Sequence, residues 1–207
     1  KFIENKDKKV IQIGGWLRNS YAIYELPINT KKLSIQKYIL QGKSMENYVK
    51  PNDFNQSNII NYSNTNTQLE NRMCTASTNK YVEGLILHIN QLYSQVNIIT
   101  FIDNDAYDQL LSNNIVFINL FNVSACNTLI ECIIRNTPII INRLPATEEI
   151  LGTNYPLFYD NLVEAGEFIV SLAKIKEGYD YLYKLDKTRL DIQVFIKEFE
   201  DIIRDIY

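Results

Sequence analysis

The sequence predicts an α/β protein built on a doubly wound, Rossmann-like parallel sheet with helices on both faces, and three observations predict it. Short apolar runs rich in β-branched residues recur at 8–13, 96–102, 115–118, 138–141 and 157–159. From position 96 onward these runs alternate with segments of helical periodicity, one unit about every 20 to 25 residues. The runs are apolar throughout instead of alternating, as strands buried on both faces are, and right-handed crossovers between parallel strands produce that burial.

The elements follow in order. Lys8 to Ile13 reads as a strand, and Gly14-Gly15 ends it where the backbone can turn sharply or approach a ligand closely. Residues 16–20 read as a loop and 21–26 as a second extended piece. Between 51 and 79, 15 of 29 residues are Asn, Ser or Thr, which predicts a long polar loop or insertion. Tyr81, Leu85, His88, Ile89 and Leu92 share one helical face. Residues 96–102 then form a buried-strand run, 105–111 a short helix, 115–118 a strand, 127–135 a helix and 138–141 a strand. Residues 147–151 make a further helical turn closed by Gly152, 157–159 a last strand, and 161–176 and 190–206 amphipathic helices. The whole of 1–207 is expected to form one Rossmann-like domain, with the polar loop or insertion at about 51–79 and C-terminal helices over about 161–207.

Composition narrows the function. Twenty-one basic against 24 acidic residues leave a net charge of -3, so no basic field exists for nucleic acid, and no local basic patch is found. The longest apolar runs fall well short of the ~20 residues that cross a bilayer. Cys74, Cys126 and Cys132 are odd in number and lack metal-ligand spacing, which suits a reducing, cytoplasmic setting. No initiator Met and no leader precede Lys1, as expected of a piece of a longer polypeptide. Asn and Ile supply 54 of 207 residues, a bias of AT-rich codons more than of folding.

In a doubly wound sheet the ligand crevice lies beyond the carboxyl ends of the strands, which points to the residues after Ile13, Ile102, Ile118 and Ile141. Ser124, Asn127 and Thr128 stand where a helix starts after the 115–118 strand. Free N–H groups and the helix dipole there form an anion site suited to phosphate. Glu131, one turn further in, can accept two hydrogen bonds from a ribose diol. The plainer reading is that Ser124 or Asn127 caps a core helix. His88, the only histidine, sits on an apolar helical face and reads as a core or boundary residue. Tyr179, Tyr181 and Tyr183 could offer a sugar-stacking platform, although rings at this spacing more often pack a core edge.

The stretch from Asn127-Thr128-Leu129-Ile130-Glu131 through Arg135-Asn136-Thr137-Pro138, and on through Leu144-Pro145-Ala146-Thr147-Glu148-Glu149-Ile150-Leu151-Gly152, resembles the donor-binding core of GT-B type glycosyltransferases. In flavour it is similar to glycosyltransferase domains of large DNA viruses. The resemblance implies a C-terminal lobe that binds a nucleotide-diphosphate sugar and passes the sugar to a hydroxyl of a glycan or protein acceptor. An N-terminal acceptor-binding lobe of the same polypeptide would complete it, with no metal or other cofactor. It implies that Glu131 holds the ribose, that Ser124, Asn127 and Thr128 face the diphosphate or sugar, and that Gly14-Gly15 forms the glycine turn of the nucleotide half. Arg18 would lie against the diphosphate, or else be a surface arginine. Asp103 and Asn104 would sit in the base-contacting loop, or else form an Asx turn that starts a helix. Retaining members carry two glutamates eight positions apart; the second matches Glu131 and the first falls on Val123. Glu148 and Glu149 could face the site or simply start a helix. A non-catalytic nucleotide-sugar-binding or scaffolding domain is the alternative function.

Overall fold

The computed structural model describes residues 2–14, 17–19, 22–28, 35–40, 95–99, 102–123 and 126–206. Six strands, β1 (Val10–Ile13), β2 (Lys37–Leu40), β3 (Val96–Ile99), β4 (Ile115–Ile118), β5 (Ile139–Asn142) and β6 (Phe158–Tyr159), form one sheet in the order β3-β2-β1-β4-β5-β6. Every pairing is parallel. The winding runs outward from the middle in both directions, so the order reverses between β1 and β4 and opens a crevice at their carboxyl ends. The expected α/β, Rossmann-like class is what the chain adopts.

The sheet is buried because its central strands are apolar on both faces. All four residues of β1 and all four of β4 are buried, and Ile139, Ile140 and Ile141 of β5 are fully so. Around them pack α1 (Ala22–Glu25), α2 (Asn104–Asn113), α3 (Asn127–Arg135), α4 (Pro145–Leu151), α5 (Leu162–Val170) and α6 (Leu172–Lys184). α7 (Ile192–Ile206) follows a single 3-10 turn at Thr188–Leu190.

Four expectations are corrected. The piece at 21–26 is not extended: Ala22–Glu25 is helical, because Ala22, Ile23 and Tyr24 turn into the core and side chains of the sheet take up the helix ends. β2 went unread, since Lys37 at its head looks like a solvated residue yet is buried. The run at 96–102 is not buried on both faces: its described strand, β3, lies at the sheet edge and leaves Asn97 and Ile98 exposed, and residues 100 and 101 lie outside the described residues. The helix expected over 161–176 is two helices. Ser171 adopts extended backbone between them, and its hydroxyl accepts from the Lys174 N–H at 3.3 Å to start α6, which runs on to Lys184. The polar stretch 51–79 and the helix carrying His88 lie outside the described residues.

Of the three tyrosines of α6, Tyr179 and Tyr181 pack a core edge and Tyr183 is exposed. Tyr179 stacks on Phe2 and Tyr183, while Tyr181 meets Tyr155 edge-on and its hydroxyl donates to the Leu151 carbonyl at 2.7 Å. Gly152 closes α4 at φ +84°, as the sequence predicts. α7 carries an apolar stripe of Ile192, Phe195, Ile196, Phe199, Ile202 and Ile203 that is exposed among the described residues. No helix of the described residues is long and apolar enough to cross a membrane.

Candidate functional site

The reversal of strand order puts two turns side by side: the one after β1, carrying Gly14 and Arg18, and the one after β4, carrying Asn119 to Val123. The two run antiparallel, with Arg18 bridged to Leu120. Asn19 N–H donates to the Asn119 carbonyl at 2.8 Å, and Phe121 N–H to the Leu17 carbonyl at 3.0 Å. Gly14 sits at φ +78°, a conformation that costs a glycine little, and the Arg18 guanidinium lies so close over it that a Cβ would collide with Nη1.

From that seat the guanidinium reaches the start of α3. Nη1 donates to the Ile13 carbonyl, and Nη2 donates to Thr128 Oγ1 at 3.2 Å and approaches Cys126 Sγ at 3.7 Å. Arg18 Nε is buried without a partner among the described residues. With its guanidinium on Ile13 and Thr128, Arg18 is no free surface arginine. It spans the gap between the turn after β1 and the start of α3.

Among the described residues, no side chain caps the start of α3. Its N-cap is Cys126, which makes no side-chain capping bond, and Asn127 and Thr128 are the first two helical residues. Asn127 is therefore not the cap that the plainer reading made of it. The first helical bonds run from the Leu129 and Ile130 N–H groups to the Cys126 carbonyl, at 2.9 and 3.3 Å, so the N–H groups of Asn127 and Thr128 precede the hydrogen-bonded turns.

Glu131 lies three residues beyond Thr128, on the same side of α3 and about 4.5 Å further along its axis. Its Oε2 accepts a hydrogen bond from the Tyr107 hydroxyl of α2 at 2.7 Å. Burial and then the neighbouring carboxylate hold that phenol well above the ordinary tyrosine range, so it stays a donor at any physiological pH. One turn along α3, Arg135 pairs with Asp108 of α2 at 2.7 Å and also donates to the Glu131 carbonyl at 3.0 Å, which locks the two helices at this level. Burial pushes the Cys132 thiol up as well, so it is a packing residue.

Asp103 caps α2: its carboxylate accepts from the Ala106 N–H at 2.7 Å, the Asx arrangement weighed above. Asn104 is the first residue of that helix, and both are exposed. They lie one turn before Tyr107, whose N–H bonds the Asp103 carbonyl at 2.9 Å, and so join the site through it. Glu148 is paired with Arg143, and Glu149 is exposed. Val123, where retaining relatives carry a glutamate, packs against the core. Gly15 and Ser124 lie outside the described residues.

Several residues of this edge went unread. Asn142, the last residue of β5, clamps the turn after β4 by accepting from Leu120 N–H at 2.7 Å and donating to its carbonyl at 2.9 Å. Asn119 donates to the buried Tyr159 hydroxyl at 2.8 Å, and that hydroxyl donates to the Ile118 carbonyl at 3.0 Å. The legible signal was an asparagine directly at the end of two apolar runs. Tyr107 carried none, being 24 positions from the carboxylate it serves.

No protein-family model and no curated protein matches the sequence. Solved structures do match. A glycosyltransferase from Rickettsia africae aligns over 99% of this chain and 49% of its own, with a TM-score of 0.61 at 12% identity. HepE of Anabaena, solved in complex with UDP and glucose, aligns over 96% and 49%, with 0.56 at 11%. An O-GlcNAc transferase mutant from Thermobaculum terrenum aligns over 99% and 37%, with 0.53 at 11%. These neighbours are GT-B type glycosyltransferases, and the chain has the Rossmann-like fold of that type over half of their length or less. They lend the viral resemblance no support.

Proposed function

We propose that this chain is the donor-binding lobe of a glycosyltransferase. The observation that carries the reading is the pairing, on one helix, of an uncapped start bridged by Arg18 with a carboxylate one turn in that Tyr107 holds in place. Phosphates suit the first feature and a ribose diol the second. The donor sugar would project from the diphosphate into the cleft beyond the strand ends. There a separate N-terminal lobe would present a hydroxyl of a glycan or protein. As the bond from sugar to diphosphate breaks, negative charge grows on the departing phosphate. The N–H groups of Asn127 and Thr128 and the Arg18 guanidinium would stabilise it, the term that dominates such catalysis. We infer no metal or other cofactor and a cytoplasmic setting. The complex of HepE with UDP makes uridine donors the first to try.

Val123 favours a second reading. Its packing against the core puts an aliphatic side chain where retaining relatives place a carboxylate, as in a domain that keeps the nucleotide and has lost turnover. Thermal denaturation with nucleoside diphosphates and their sugar conjugates tests the binding common to both readings. A ligand at 100 times its dissociation constant stabilises by about 2.7 kcal/mol. Stabilisation that disappears in Glu131→Ala is expected; none with any nucleotide, or an undiminished shift in the variant, would defeat the assignment. Sugar transfer by the full-length polypeptide separates enzyme from scaffold.

A further inference from the structure

Central parallel strands ordinarily bury apolar side chains, yet Gln12 of β1 and Lys37 of β2 are each only 1% exposed. Lys37 is in register with Val10, and Gln12 lies two positions on from Val10, so the two polar side chains leave the same face of the sheet. Gln12 Nε2 donates to the Asn19 carbonyl at 2.9 Å, and its Oε1 accepts from the Ile23 N–H at 3.0 Å. Lys37 Nζ donates to the carbonyls of Ile23, Tyr24 and Leu26 at 3.1, 3.2 and 2.7 Å. α1 has four residues, too few to hold a helical turn by itself. The sheet supplies what it lacks, gripping Ile23 by its N–H from Gln12 and by its carbonyl from Lys37.

The same grip extends to the candidate site. Asn19, held by Gln12, follows Arg18, and the Asn19 and Phe121 N–H bonds are what lay this turn along the end of β4. We propose that Gln12 and Lys37 are positioning residues for Arg18, fixing the turn after β1 so that its guanidinium meets the start of α3. An apolar pair of equal volume would fill the space but leave these carbonyls without donors, so a polar core here serves placement more than stability. The inference rests on the donor-lobe reading for what Arg18 then binds.

Amide hydrogen exchange and titration with uridine diphosphate, both on the full chain, test it. In Gln12→Leu the Asn19 and Phe121 amides lose protection by about tenfold, the effect of two ordinary hydrogen bonds, and uridine diphosphate affinity falls with them. The Val116 amide, bonded to Pro138 in the next strand pair, keeps its protection. Lys37→Met lowers protection at Leu26 and Asn19 together.

Gln12→Glu separates placement from packing. The protonated acid reproduces both bonds, whereas the carboxylate can only accept from Ile23. Among the described residues, the charged or titratable groups on the elements packed against it are Lys37 and Tyr38 of β2, Tyr24 and Glu25 of α1, and Arg18 in the turn it holds; Tyr38 leaves the opposite face of the sheet, and the Lys37 ammonium favours the carboxylate. Asn19 should therefore be protected at acid pH and lose protection as the acid ionises, with Ile23 protected throughout. Equal loss at Asn19, Phe121 and Val116 would overturn the proposal by showing a change in global stability alone. Unchanged nucleotide affinity with a loosened turn would overturn it too. If Gln12→Leu does not fold, the isosteric Gln12→Glu decides by its pH profile. If the wild type binds no uridine diphosphate, the donor reading falls, and the exchange pattern still decides whether the pair holds the turn.

Discussion

Lys37 makes the stability of this protein depend on alkaline pH in a direction opposite to most salt-bridged lysines. Burial lowers its pKa from 10.5 to about 8. The folded-state value is depressed, so between pH 8 and 10.5 the unfolded chain binds more protons than the native one and stability rises with pH. Below pH 8 the native state bears the full cost of a buried ammonium. At about 1.4 kcal/mol per pH unit the displacement amounts to at most about 3 to 4 kcal/mol. Three carbonyls accept from the ammonium and favour its charged form, which makes that figure an upper bound. The assay is urea denaturation of the wild type and Lys37→Met at intervals from pH 7 to 10. Tyr155 and Tyr159 have phenols raised by burial, and they erode stability above pH 10 in both proteins, so the window closes there. The wild type should gain 1 to 3 kcal/mol relative to the variant, roughly, between pH 7.5 and 10. Two parallel curves would refute the reasoning, because they would mean that Lys37 titrates alike in the folded and unfolded chain.

Three further outcomes are expected. Tyr107→Phe removes the one hydrogen bond that holds the Glu131 carboxylate among the described residues; calorimetric titration should show nucleotide affinity about tenfold weaker, and denaturation a loss of about 1.5 to 3 kcal/mol, the worth of a charge-assisted bond. Tyr155→Phe leaves both the N–H and the carbonyl of Ile139 buried and unpaired, so guanidinium denaturation should show a loss of about 2 kcal/mol or more. Gly178→Ala drives a Cβ to 2.3 Å from Leu157 Cδ1 in the core, and the overpacking should cost about 1 to 3 kcal/mol in the same assay.

The architecture was legible where burial speaks through composition. Ile115–Ile118 and Asn127–Arg135 coincide with their expected bounds because an all-apolar run between Asn114 and Asn119 and an amphipathic run before Asn136 leave no alternative register. Asn136 stops α3 in the left-handed conformation at φ 59°, which asparagine tolerates. Reading failed where a tertiary partner overrides local pattern. Lys37 looks exposed until the carbonyl cluster that takes its ammonium is known. The 21–26 piece looks extended until Gln12 and Lys37 take up its ends. Ser171 looks like one more polar position on a long helix until its hydroxyl caps the next. β6 is two residues long, and the Tyr155 hydroxyl bonds both backbone groups of Ile139 beside it, a substitution no strand propensity could reveal.

The same division governs the site. The helix lies where the sequence predicts it, and the two features on which the proposed site rests, its start and a carboxylate one turn in, are local, written within eight residues from Ser124 to Glu131. What local pattern could not supply is the set of contacts that arrive from elsewhere in the chain: Arg18, expected near the diphosphate through the family resemblance alone, reaches Thr128 from 110 positions before, Tyr107 reaches Glu131 from 24 before, and Asn142 reaches Leu120 from 22 beyond. These three share one chemistry, a side chain that completes a backbone or carboxylate left unfinished by a neighbouring element. Each also lies at the carboxyl edge, where the strands end and their ladder bonds stop. A parallel sheet necessarily exposes unpaired backbone groups along that edge, and here polar side chains from the adjoining turns and helices take them up. Polar side chains thus tie the turns after β1 and β4 to each other and to the start of α3, and the proposed stabilisation of charge on a departing phosphate would depend on that fixed placement.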